Sequence, residues 1–103
     1  MIRAALAAVS LSTLANPALA EDFTAAAAEG RLRGCLLASA TSPGQTALAA
    51  KVIEARAFCG AQIKRVRDQR VAAASTSDAR AAVVRDLDAE IARAVANFSG
   101  LSS

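Results

Sequence analysis

Few side chains in this sequence carry reactive or charged chemistry at a telling spacing, and they fall into three groups. Cys35 and Cys59 are its two cysteines. Lys64, Arg65, Arg67 and Arg70 crowd four positive charges into one short segment. Asp86, Asp88 and Glu90 make an acidic cluster further on.

For the cysteines the spacing points to structure. A redox pair would show CxxC spacing and a depressed thiolate pKa, and a zinc site would want four Cys or His ligands. Neither pattern is present. In an exported chain two cysteines predict a disulfide, here closing a loop of about 25 residues within one chain. The chain-entropy contribution of such a loop is roughly 3.5 kcal/mol. A bridge between two chains and a reactive thiol pair are the alternatives.

The basic segment could contact anionic lipid, lipopolysaccharide or an acidic partner protein. At about 100° per residue, however, Lys64, Arg65, Arg67 and Arg70 point to different sides of a helix. A solvated face interleaved with Asp68 is the plainer expectation. In the acidic cluster Asp86 and Glu90 are i,i+4 neighbours, yet no Ca²⁺ loop with its glycine is present. These acids are expected at the surface, where they could pair with the basic segment of the second helix.

The absences are as informative. The sequence has no His, Trp or Tyr. That excludes His general-base catalysis, Ser-His-Asp and Cys-His arrangements and His-ligated zinc. No nucleophile-elbow or phosphate-loop motif occurs. No catalytic residue, cofactor or metal is expected. The formal charge of +3 is too mild to imply a nucleic-acid partner.

The elements that must position these groups begin with an address. Met1-Ile2-Arg3 is a short basic start, residues 4–15 are largely apolar, and Asn16-Pro17 ends that run. Ala18 and Ala20 place small residues before Glu21, as signal peptidase requires. Residues 1–20 therefore read as a secretory signal peptide, with cleavage after Ala20 and delivery to the periplasm or the outside of the cell. The run is short for a bilayer-spanning anchor, which needs about 20 apolar residues, and no later stretch reads as a membrane span.

Residues 21–103 read as one small helical domain. The hydrophobic share of the 103 residues is 54%, but much of it is leader and alanine. The periodicity predicts a first helix over about 22–37, weakened by Gly30 and Gly34. Those two glycines share a face and would let another backbone approach near Cys35. A second helix is expected from Ser42, with Ser42 as N-cap and Gln45 completing a capping box, or from nearer Thr46. It would run to about Ala73 with Leu48, Val52, Ala55, Cys59, Gln62 or Ile63, and Val66 on its buried stripe and Arg70 at the stripe's fading end. Reach limits the disulfide geometry. If the second helix begins at Ser42, Cys59 lies about 25 Å along it, more than the linking residues can cover once the first helix continues past Cys35. A connector over 38–46, running back along the second helix, resolves this. The third helix is expected over about 78–98, capped by Ser75 or Ser77, with Val84, Leu87, Ile91, Ala94 or Val95, and Phe98 inward and Ser99-Gly100 as its stop. Phe23, Phe58 and Phe98 are read as core anchors, although Phe58 lies away from the centre of its stripe.

The run AAKVIEARAFCG at 49–60 resembles the helix ending in Cys-Gly of UrcA-type periplasmic proteins. Those also carry a further downstream cysteine and an early strand-like segment, which this sequence lacks. The resemblance therefore carries no fold, activity or site residue across.

The sequence thus predicts an all-α protein, either a small three-helix bundle or a disulfide-stapled αα-hairpin with a third helix. It would be exported and non-catalytic, acting as a binding or accessory module toward an envelope protein or a second copy of itself. The alternative is a peripheral binder of anionic lipid or lipopolysaccharide through the basic segment of the second helix.

Overall fold

The computed structural model describes residues 17–102, with side chains described from Thr24 onward. Residues 1–16, most of the expected leader, lie outside the described residues, as does the side chain of Phe23. Among the described residues there are four helices and no strand: α1 (Pro17–Thr41), α2 (Leu48–Phe58), α3 (Gly60–Ala73) and α4 (Ser77–Ser99). The all-α expectation holds. None of the helices is long and apolar enough to cross a membrane.

α1 is longer than its periodicity suggested. It starts at Pro17, where the fixed φ of proline suits the first helical position, and continues through both glycines to Thr41. Thr41 closes it by donating its Oγ1 hydrogen to the Leu37 carbonyl at 2.7 Å. Residues 38–41, expected in the connector, are helical, and the connector is 42–47. The reach problem is solved by a late start of α2, which leaves Leu48 only about 16 Å along the helix from Cys59.

Three expectations at the second helix are corrected. Ser42 does not cap it. Its Oγ donates to the Ser39 carbonyl at 2.8 Å, and the N-cap is Ala47, with no side-chain cap. Nor is the helix continuous to Ala73. Cys59 leaves helical geometry at φ −101° and ψ 19°, which divides α2 from α3. Hydrogen bonds from Cys59 N to the Ala55 carbonyl and from Ile63 N to the Cys59 carbonyl, both 2.9 Å, carry the ladder across the break. Gly60, a weak helix former, directly follows it. Finally, Gly30 and Gly34 are not sites of close approach, since a Cβ at either would meet nothing within 4 Å.

α4 begins at Ser77, and its cap is Thr76, whose Oγ1 accepts from Ala79 N at 3.0 Å. Asp78 sits in the positive first turn. Gly100 ends the helix in the left-handed region at φ 74°, where a residue without Cβ is unstrained.

One core joins all four helices. α1 contributes Ala28, Leu32, Leu36 and Ala40; the α2–α3 arm adds Ala55, Cys59, Ile63 and Val66; α4 adds Leu87, Ile91 and Val95. Leu48, Val52, Ala94 and Phe98 pack at its edge. Alanines occupy three of these buried positions and fill little volume, so the large side chains are few. Val84, expected inward, is 38% exposed. It lies a turn before Leu87, where the α4 core contact begins.

Candidate functional site

The cysteine pair joins α1 to the break between α2 and α3. Cys35 of α1 and Cys59 at the α2–α3 break bring their sulfurs to 2.12 Å, disulfide distance, with Cα atoms 5.9 Å apart. Cys59 is fully buried, and Cys35 is partly buried where it packs against the core.

A buried lysine stands one turn before Ala55 and two before Cys59. Lys51 is only 3% exposed. Its Nζ donates to the Ser42 carbonyl at 2.9 Å and to Glu54 Oε1 at 2.8 Å. The Gln45 backbone N–H donates to the same Glu54 carboxylate, and the Lys51 hydrogen bond, the largest influence, holds that carboxyl below its ordinary pKa. Gly44, at φ 152°, passes so close that a Cβ there would collide with the Glu54 carboxylate. Lys51 and Glu54 therefore pin connector 42–47 onto α2. No sequence motif singles out Lys51. Its spacing gave a signal all the same, because Lys51, Ala55, Cys59 and Ile63 repeat every four residues on the buried stripe.

The basic segment is dispersed, as the helical angles implied. Arg70, at 28% side-chain exposure, reaches between two neighbouring helices. Its Nε and Nη2 donate to Glu29 of α1 at 2.8 and 2.7 Å, and its Nη1 and Nη2 donate to Glu90 of α4 at 2.7 and 3.2 Å. These hydrogen bonds, Glu29 first, raise the Arg70 pKa. Lys64 pairs with Asp68, and that hydrogen bond is the main cause of a lowered Asp68 pKa. Arg67 approaches Asp68 at 3.9 Å. Arg65 alone of the four makes no ion pair with a described residue. Within the acidic cluster, Glu90 meets the basic segment as expected, whereas Asp88 pairs with Arg56 of α2 at 3.1 Å.

Among the described residues two clefts and several exposed apolar side chains stand out. The larger cleft, about 520 Å³, runs between α1 and α4. Leu32, Leu36, Leu87 and Ile91 floor it, Arg33 and Arg93 stand on opposite walls, and Arg70 with its two glutamates sits among the lining residues. A smaller one, about 130 Å³, lies between α1 and α3 and is lined by Ala28, Arg31, Ala61, Gln62 and Arg65. On α2, Ile53 and Phe58 are 69% and 68% exposed. Phe58 is therefore no core anchor, whereas Phe98 packs against the core. Among the described residues no three His, Cys, Asp or Glu side chains converge in a way that could hold a metal ion.

The chain matches no protein-family model, no curated protein and no solved structure. The arrangement offers one covalent crosslink, three ionic contacts that tie elements together (Lys51 with Glu54 and the connector, Arg56 with Asp88, Arg70 with Glu29 and Glu90), and solvent-facing arginines without an ion pair among the described residues beside exposed apolar side chains.

Proposed function

We propose that this chain is a small exported helical protein that acts as a binding or accessory module without catalysis of its own. In this reading the leader over 1–20 delivers it to the periplasm or beyond. α1, the α2–α3 arm and α4 serve as the three legs of a disulfide-stapled three-helix bundle. The observation that carries the binding role is the surface of α2. Ile53 and Phe58 are the two most exposed large apolar side chains described, and both belong to one short helix. Covering an aromatic and a branched aliphatic side chain is a common source of interface energy. The composition supports a non-catalytic role, since a chain without His lacks the usual general base near neutral pH.

The occupant in this reading is an envelope protein or a second copy of the chain. Site-specific photo-crosslinking from Ile53 and Phe58, in cells that export the protein, tests it. A discrete protein adduct, lost when Ile53 and Phe58 are both changed to Ser, is the expected result. Absence of any adduct from either position overturns it. N-terminal sequencing of the exported form should start at Glu21, and an intact Met1 would refute the leader.

A second reading, peripheral binding to anionic lipid or lipopolysaccharide, is favoured by one observation. Arg65 of α3 and Arg31 of α1 line the small cleft together. Neither arginine forms an ion pair with a described residue. Sedimentation with anionic vesicles at low salt, lost when Arg31 and Arg65 are both changed to Ser, supports this reading. No binding to such vesicles rejects it.

A further inference from the structure

We infer that the cleft between α1 and α4 is a docking groove for an extended acidic peptide segment of a partner protein. The inference rests on the binding-module reading and names the partner's chemistry. Charge is the first argument. Arg33 projects from the α1 wall and Arg93 from the α4 wall, and neither has an ion-pair partner among the described residues. The acids lining the same cleft, Glu29 and Glu90, are both engaged by Arg70. The walls thus offer two free guanidiniums whose planar donor forks match carboxylates, with the nearby acids already occupied.

Shape and polarity narrow the ligand further. The cleft holds about 520 Å³, within the range of built ligand sites. Its α4 wall, from Leu87 to Phe98, is about 16 Å long at 1.5 Å per residue, the span of about five residues of extended chain. An alkyl chain is a poor fit. The floor residues Leu36 and Ile91 are already buried to 4% and 1% exposure, so little new apolar surface would be covered. A peptide suits the remaining lining better. Asn97 supplies one amide, a donor and an acceptor together, which can pair with a backbone peptide group. Half-buried Ala94 and Phe98 give a small side chain a place to rest. The electrostatic part should govern encounter rate and salt dependence.

The test uses the purified, disulfide-bonded protein and two capped hexapeptides, Ac-EAEAEA-NH2 and its neutral counterpart Ac-QAQAQA-NH2. Binding is read by calorimetry and by ¹⁵N chemical shifts, including the Asn97 side-chain amide. The acidic peptide should bind saturably and shift Asn97. Its affinity should fall about tenfold or more in R33S/R93S, where two charge-assisted contacts are lost. R33K/R93K should give an intermediate loss, because the charge stays and the fork goes. R31S/R65S, which alters the other cleft, should bind as the wild type does. Circular dichroism of each variant confirms that the fold is kept. Equal binding of the neutral peptide overturns the proposal, as does unchanged affinity in R33S/R93S. So does equal binding of free glutarate, which would make the groove a small-carboxylate site. Crosslinking from Ile53 and Phe58 is independent of these outcomes, so failure of the groove leaves the α2 reading to stand or fall by its own test.

Discussion

The two ends of the α2–α3 arm are held by different physics. In the half of the arm that ends at the Cys59 break the main fastenings are buried, beside one exposed pair from Arg56 to Asp88. Cys59 is bonded to Cys35 inside the core, and Lys51 closes the connector from a position almost without solvent contact. At the α3 end the fastening is ionic and wet. Arg70 joins α1 to α4 through two carboxylates that remain accessible to water and salt. A bond in the core is indifferent to ionic strength, whereas a solvent-facing ion pair is screened over a Debye length of about 10 Å at 0.1 M salt. The arm should therefore respond to reductant at the α2–α3 break and to salt at its far end.

The sharpest way to break this contrast is to remove the bond. C35S/C59S should lose roughly 3 kcal/mol, as expected for closing a loop of about 25 residues. Thermal unfolding should show a fall in Tm of 10 °C or more, at about 4–8 °C per kcal/mol for a domain of this size. A change of only a degree or two would show that the core carries the arm without its crosslink. Next in size is the buried lysine. K51M keeps the aliphatic stem but strands the Ser42 carbonyl and Glu54, and should cost about 2 kcal/mol. Hydrogen exchange should report the loss chiefly in connector 42–47, and uniform loosening of all four helices would contradict the local role.

At the other end the effects are smaller. R70M should cost about 1 kcal/mol at low salt, toward the upper end for partly exposed pairs because the contact is multidentate. That cost should shrink as salt rises, and a salt-independent cost would mean Arg70 acts through packing. Smallest is the response to acid. The folded pKa values of Glu54 and Asp68 lie below their ordinary values of 4.5 and 3.8. Their stabilisation is present above those ordinary values and is lost as pH falls through the lowered folded ones. Denaturant midpoints should hold steady down to about pH 5 and decline below pH 4. E54Q/D68N should flatten that decline, and an unchanged pH profile in the double variant would discount both pairs.

Much of this molecule was legible in its sequence, and the gaps have physical causes. Helical class followed from apolar recurrence at three and four residues, and the cysteine pair from its number and spacing. Boundaries slipped where backbone and side-chain competition is close. Ser42 has the right type for a cap, yet its hydroxyl finds the Ser39 carbonyl first. Thr76 outcompetes Ser75 and Ser77 because it is the residue whose oxygen faces the Ala79 amide. The break at Cys59 has no periodic signature, since the stripe runs straight through it from Ala55 to Ile63. Arg70 was placed correctly at the end of the stripe, but its two partners lie 41 and 20 residues away in the chain. Lys51 was missed because its polar type outweighed its position. The α1–α4 cleft draws on two distant helices and leaves no local pattern at all.

The break at Cys59 also bears on the order in which the chain can acquire structure. Instead of one long helix, the arm is an 11-residue and a 14-residue piece. Isolated helices of about 12–15 residues or fewer are marginal in water, so each piece depends on the hydrogen bonds that cross Cys59 and on docking against its neighbours. The flanking helices, α1 over 21–41 once the proposed leader is removed and α4 at 23 residues, are long enough to flicker into existence on their own. The middle of the chain then winds up last, against a surface the outer helices have begun to form. Cys59 would reach Cys35 as part of that docking step.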